Sequence, residues 1–421
     1  MNLSEKDTNY IWHPFTQHQT AAPNIVITHG NAASLYDENG KEYIDAVSSW
    51  WTNLFGHANL EISNAIKNQL DQLEHVIFAG CTHQPAIDVA ETLLKILPNN
   101  QNKIFFSDNG STSVEVALKM AIQYWHNQQI EKNTIIAFKN AYHGDTFGAM
   151  AVGARGIFNQ AFEPYLFDVE FIDLPTASNI NHLSNQFLQI IQSKKVAAFI
   201  FEPLVQGSAG MLMYDAIFLD KLIAIAQQNN IICIADEVMT GFGRTGKNFA
   251  SDYLQHKADI FCMSKGITGG FLPLGITSCT QKIYDAFLSS NKLKTFLHGH
   301  SYTANPLACA AANASLNLLS NAQDMINELV VWQSEMKANL LQHHKVENIR
   351  QTGTIIAFEV KSNFSNSYFN NIRDVLYDNF INRGILLRPL GNTVYVMPPY
   401  VITKTQLRQI YDVIIEVLDI V

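Results

Sequence analysis

The chain has 421 residues, 47% of them hydrophobic and 15% charged, with a formal net charge of -9. That is apolar material for a large core and too much chain for one compact unit, so a large domain with a smaller companion is expected. The acidic balance comes without a Lys/Arg run, which argues against a nucleic-acid surface, and no apolar stretch approaches the ~20 positions of a membrane span.

The start, MNLSEKDTNY, lacks the basic and apolar regions of an export signal, so a cytoplasmic protein with a small-molecule ligand is expected. Cys81, Cys233, Cys262, Cys279 and Cys309 lie far apart with no C-x-x-C pair. Buried free thiols fit that spacing better than a disulfide framework or a zinc knuckle.

Between about residue 100 and residue 280, short apolar runs alternate with helix-period segments: KIFF (103–106), TIIAF (134–138), VAAFIF (196–201), IICIA (231–235) and DIFCM (259–263). The alternation predicts an α/β fold with a mostly parallel central sheet. Each run stops at polar or glycine-bearing residues, and ligands of such sheets bind at the carboxyl ends of strands, so one convergent site is expected. Beyond about residue 305 the pattern predicts a long helix from Pro306 to about Leu341, strands over 354–360 and 385–390, and a terminal helix from Thr405. This reads as a smaller α/β domain, 1–50 with 306–421, beside a large domain over 51–305.

In SDNGSTSVEVALKMAIQYW a strand end meets Gly110 and Ser111 and then a helix whose Val114, Ala117, Leu118, Ala121, Ile122 and Trp125 share one face. Free N–H groups at such a helix start, with the Ser111 hydroxyl, suit a phosphate. The alternative is an ordinary capped helix with Thr112 and Glu115 as its capping box. Asp236 ends one strand and Lys265 follows another, which sets an acid and an amine side by side. An amine that forms a Schiff base must be able to lose its proton, which partial desolvation favours, and a pyridine-type cofactor needs an aspartate to keep its ring nitrogen protonated. Tyr142 and His143 in AYHGD offer a ring to stack on a planar cofactor, and Glu202 ends so apolar a strand that it needs a partner. Trp50 and Trp51 form an apolar wall, and Arg388 suits a carboxylate. His298 and His300 lack any matching ligand spacing, so no metal is expected. GFGRTGKN (241–248) nearly fits a nucleotide-binding loop, but Asn248 replaces the hydroxyl residue and the acidic strand comes before the loop, not after it. A non-catalytic binding module is the other rival, against which the retention of both Lys265 and Asp236 speaks.

Together SDNGSTSVEVALKMA, YHGDT, EPLVQG, ADEVMTGFGRTG and SKGITGG resemble the signatures of the class III aminotransferases, with their fold type I architecture. IWHPFTQ, SSWWTNLFGH, HGHSYTANPLACAAANASL and RPLGNTVYVMPPY resemble the biotin-pathway branch of that family. The resemblance covers nearly the whole chain. It implies pyridoxal 5'-phosphate as cofactor, with Lys265 as the Schiff-base lysine, Asp236 on the ring nitrogen, Tyr142 stacked on the ring, Gly110 and Ser111 on the phosphate, and His143, Glu202 and Val238 around it. It further implies a homodimer with shared sites, in which Ser301 reaches the neighbouring subunit's phosphate. Phe15, Trp50, Trp51, Tyr142, Asp145, Lys265, Gly299 and Arg388 would bind 8-amino-7-oxononanoate as acceptor and S-adenosylmethionine as donor. Phe15 stands where many members have tyrosine, and Ser301 where threonine is common; the first leaves lysine open as the donor.

Overall fold

The computed structural model describes residues 1–156, 158–361 and 372–421. Its centre is a seven-stranded sheet of β1 (Gln101–Ser107), β2 (Thr134–Phe138), β3 (Val169–Ile172), β4 (Val196–Phe201), β5 (Ile232–Asp236), β6 (Ile260–Met263) and β7 (Gly275–Thr280), in the order β1-β7-β6-β5-β4-β2-β3. Only β7 runs antiparallel to its neighbours; the other pairings are parallel.

β4, β5 and β6 are buried along their whole length, because helices cover both faces, and a strand buried on both faces reads as an unbroken apolar run. Alternate side chains serve the two sides. Phe199, Phe201, Cys233 and Ala235 join one core, and Ala198, Ile200, Ile232 and Ile234 join the other. The second core is closed by the helix Gly110–Asn127, whose Val114, Ala117, Leu118, Ala121 and Trp125 are buried, with the Trp125 indole N–H donating to the carbonyl of Ala197 at 2.9 Å. Ile122, expected on that face, is 39% exposed.

Both ends of the chain meet in a four-stranded sheet, ordered Ile27–Asn31, Ser34–Asp37, Glu42–Asp45 and Ile385–Leu386. A three-stranded sheet of Val346–Thr352, Ile355–Val360 and Thr393–Val396 lies beside the terminal helix Lys404–Ile420. The expected long helix after Pro306 is two helices, Pro306–Ser320 and Gln323–Leu340, broken at Asn321. The expected strand over 385–390 shrinks to Ile385–Leu386, which frees Arg388 to leave the sheet. Four cysteines are buried free thiols, and Cys81 is exposed. Among the described residues no helix is long and apolar enough to cross a membrane, and no group of three His, Cys, Asp or Glu side chains converges as a metal site would require.

Candidate active site

A cavity of about 440 Å³ opens at the carboxyl ends of the parallel strands. Its walls come from the strand-to-helix turn at Asn109 to Ser111, the Tyr142 to Thr146 loop after β2, Glu202 after β4, Asp236 to Thr240 after β5, Lys265 after β6, and Trp51. The convergence expected from the strand endings is therefore present.

At one end the helix Gly110–Asn127 begins. Asn109 and Thr112 form its capping box, and this leaves Glu115 free to bind elsewhere. One of its carboxylate oxygens accepts from the Thr146 hydroxyl at 2.5 Å and from the backbone N–H of Gly148 and Ala149 at 2.6 and 3.0 Å. The alternative reading, with Thr112 and Glu115 as the capping box, is not what forms. Ser111 accepts from the backbone N–H of Thr146 at 2.9 Å, so helix start and loop are stitched together. A Cβ on Gly110 would come within 2.7 Å of Val238, and one on Gly144, whose φ is +129°, within 2.2 Å of the Ser111 hydroxyl. Both positions require glycine.

Asp236 ends β5 and is 5% exposed. One of its oxygens lies 2.6 Å from His143 Nδ1, and the other accepts from the backbone N–H of Val238 at 3.1 Å. His143 Nε2 is buried without a hydrogen-bond partner. Glu202, buried at the end of β4, accepts from the backbone N–H of Tyr142 and of Gly207, each at 3.0 Å. Desolvation pushes its pKa up to about 7 against the pull of His143. Tyr142 donates its hydroxyl to Asp145 at 2.9 Å; burial first, and Asp145 second, raise the phenol far above its ordinary value.

Lys265 follows β6 at φ +46°. Its Nζ lies 4.5 Å from the centre of the Trp51 ring, and desolvation lowers its pKa to about 8, opposed by Asp236 and Glu202. Trp51 is held edge-on by the Tyr395 hydroxyl, which accepts its indole N–H at 3.0 Å. Trp50 points outward, 39% exposed, with Phe15 at 5.6 Å between ring centres and the Arg388 guanidinium at 4.8 Å from its ring. Gly299 and Ser301 are exposed and do not line this cavity.

Residues not singled out from the sequence also line it, notably Thr146, Met239 and Thr240. Each lies inside one of the motifs around Tyr142 and Asp236, which is the signal that could have found it. GFGRTGKN is not a phosphate loop. It is a largely buried turn whose Arg244 donates to the carbonyls of Pro398 at 3.1 Å and Asn53 at 3.0 Å, and it runs on into a single 3-10 turn, Ala250–Tyr253.

An amine beside an aspartate, at the carboxyl edge of an α/β sheet with a glycine-bearing helix start opposite, defines a pyridoxal-phosphate enzyme. The chain belongs to the class III aminotransferases, whose family profile matches residues 15–418. It is 48% identical over 422 residues to the adenosylmethionine-8-amino-7-oxononanoate aminotransferase of Synechococcus elongatus, covering 97% of this chain and 98% of the relative. It is 37% identical to the protein of the same name from Helicobacter pylori, covering 99% and 98%. The crystal structure of the Methanocaldococcus jannaschii protein of that name superposes with a TM-score of 0.93 at 35% identity, covering 98% of each chain. An amine transaminase from an uncultivated Pseudomonas species, solved with pyridoxal phosphate bound, superposes at 0.90 with 29% identity, covering 97% of this chain and 98% of that one.

This is therefore a pyridoxal-phosphate-dependent aminotransferase. The residues present fit that cofactor. The crowding at Gly110 and Gly144 keeps the helix start free of side-chain bulk, the buried Nε2 of His143 lacks a partner, and the Lys265 amine is biased toward its neutral form.

Proposed function

We propose that this chain transfers an amino group from S-adenosylmethionine to 8-amino-7-oxononanoate, giving 7,8-diaminononanoate in biotin biosynthesis by a ping-pong route. The observation that carries the acceptor is the Arg388 guanidinium over the ring of Trp50, the residue next to the cavity-lining Trp51. That pair offers a carboxylate grip beside an apolar wall, which suits an acceptor with a carboxylate at the end of an aliphatic chain. The names of the Synechococcus elongatus and Helicobacter pylori relatives support the same acceptor and donor.

Bound pyridoxal phosphate supplies an electron-withdrawing ring that stabilises negative charge on the substrate carbon. Lys265 anchors it and then moves the proton on that carbon, and an amine pushed down to about 8 is well matched to that transfer near neutral pH. Asp236, oriented by His143 and by the Val238 N–H, would pair with the ring nitrogen. Gly110 and Ser111 would hold the phosphate through the helix start. Tyr142, kept in place by Glu202 at its backbone and Asp145 at its hydroxyl, would stack on the ring.

We further propose a homodimer in which Gly299 and Ser301 of one subunit complete the partner's site. The segment around them is apolar and bare, with Leu293 83%, Leu297 81% and Tyr302 65% exposed.

The donor is tested by mixing the cofactor-loaded enzyme with one donor at a time and following its visible absorbance, since the first half of a ping-pong reaction proceeds alone. Bleaching by S-adenosylmethionine is expected. Bleaching by lysine alone would replace the donor, and bleaching by neither would overturn the assignment.

A further inference from the structure

The turn that carries both tryptophans is held in a conformation its residues resist. Ser48, Ser49 and Trp51 have φ of +51°, +59° and +69°, the left-handed region that side chains with a Cβ disfavour. No glycine relieves it. Something outside the turn must over-determine the backbone.

That something is Asp45, wholly buried at the end of the strand Glu42–Asp45. One carboxylate oxygen accepts from the backbone N–H of Val47 at 3.1 Å and of Ser49 at 3.0 Å. The other accepts from the Ser49 hydroxyl and from His57 Nε2, each at 2.9 Å. A carboxylate offers about four lone-pair sites, and four donors occupy them. His57 is itself oriented, because the Asn53 side-chain amide donates to Nδ1 at 3.2 Å, which leaves Nε2 to donate to Asp45. The same stretch is tied to the Arg388 side of the cavity: the Ala46 N–H donates to the carbonyl of Leu386 at 3.0 Å, two residues before Arg388, and the Met397 N–H donates to the carbonyl of Ala46 at 2.8 Å.

We propose that Asp45 is a positioning residue for the transamination: with His57 it clamps the turn over 47–51 in its left-handed form, and so sets Trp51 against Lys265 and Trp50 against Arg388. This rests on the reading of Trp50 and Arg388 as the acceptor grip. Hydrogen bonds tie residues 47–51 to Asp45, Tyr395 and Met397 and not to Ser111 or Asp236, so the clamp governs substrate fit more than cofactor affinity.

In Asp45→Asn only one oxygen remains to accept, and an N–H₂ group is turned toward two donors. The acceptor KM should rise ~10- to 100-fold, the scale of a small misplacement at a reacting site, with a smaller fall in kcat and cofactor affinity unchanged within about twofold. Amide hydrogen exchange over residues 46–52 of the cofactor-loaded protein should quicken without substrate present. Adding Ser49→Gly, which accepts the positive φ freely, should recover much of the KM. If Asp45→Asn does not fold, His57→Phe removes one donor and the orientation of the carboxylate, and should show a smaller KM rise rescued by the same glycine. Loss of thermal stability with an unchanged KM, or a glycine that worsens either variant, overturns the clamp. If the wild-type enzyme ignores 8-amino-7-oxononanoate, the substrate reading falls, while the exchange measurement still decides on the clamp.

Discussion

Replacing Asp236 with asparagine exchanges one buried oxygen for an N–H₂ group and removes the negative charge that we propose pairs with the cofactor's ring nitrogen. The fold should tolerate it. Oδ1 can still accept from the Val238 N–H, and the new N–H₂ can donate to His143 Nδ1 once the imidazole moves its own proton to Nε2, the nitrogen that has no protein partner. The cost falls on chemistry. An opposite charge at this range shifts a pKa by ~1 to 3 units, and each unit corresponds to about 1.4 kcal/mol. Lost at the ring nitrogen, that amounts to ~1.4 to 4 kcal/mol of the stabilisation the reacting state depends on, or a ~10- to 10³-fold slower half-reaction. Stopped-flow loss of the visible band with a single donor reads it directly, beside a thermal melt of the cofactor-free protein that should move by no more than a few degrees. A half-reaction within twofold of wild type would refute the assignment of Asp236 to the ring nitrogen. So would an equal loss of cofactor affinity and rate, which would point to binding alone.

Lys265→Ala should lower turnover by at least the ~10² to 10⁴-fold of general acid–base catalysis, and because the free amine sits at about 8, the rate of loading cofactor into wild-type apoenzyme should rise about tenfold per pH unit up to that value and then level off. Arg388→Ala should raise the acceptor KM with little effect on cofactor affinity, since a charged hydrogen bond contributes ~1.5 to 3 kcal/mol; an unchanged KM would remove Arg388 from the carboxylate. Glu237 is fully buried and pushed up to about 7 by desolvation, so its folded pKa lies above its unfolded one, and its contribution to stability is full below about 4.5 and is lost as pH rises through 7. Denaturant melts of the apoenzyme should therefore weaken across that window, and Glu237→Gln should flatten the slope while lowering the plateau through its altered bonds to Thr240, Ala250 and Ser251. Mixing Lys265→Ala subunits with subunits altered over 299–303 should restore part of the activity if sites are shared; a fully active monomer in sedimentation would exclude the dimer.

Five of the seven central strands were legible as apolar runs; in β2, β4, β5 and β6 burial of nearly every residue produces the run, whereas the edge strand β1 shows it only over Ile104 to Phe106. The two that were not have physical reasons. Val169–Ile172 is an edge strand with Glu170 in its middle, and Gly275–Thr280, though wholly buried, carries Thr277 and Ser278, whose hydroxyls find partners in the Ser113 carbonyl and Gln101 that no local pattern announces. The site residues at strand ends were readable for the same reason as the strands. What the sequence does not disclose is the backbone of SSWW: nothing in two serines and two tryptophans signals left-handed φ, since the conformation is imposed by Asp45 and by neighbours distant along the chain. Glu115 misled in the opposite direction. Its spacing from Thr112 imitates a local cap, yet its carboxylate serves a loop over thirty residues away.

The reversed direction of β7 carries a consequence for how the reactive amine is held. Because β7 runs back along β6, the segment over 264–274 both leaves and re-enters the sheet at the same rim, and the Ser264 hydroxyl closes its neck on the carbonyl of Leu274 at 2.7 Å. The parallel crossovers elsewhere leave the sheet at one rim and re-enter at the other, most of them through a helix, so a change of length there is absorbed by more distant chain. The lysine segment has no such slack. An inserted residue would have to slip a register or break that neck, which confines the travel of the amine to rotations of its own side chain and makes this hairpin the stretch of the large sheet least open to variation in length.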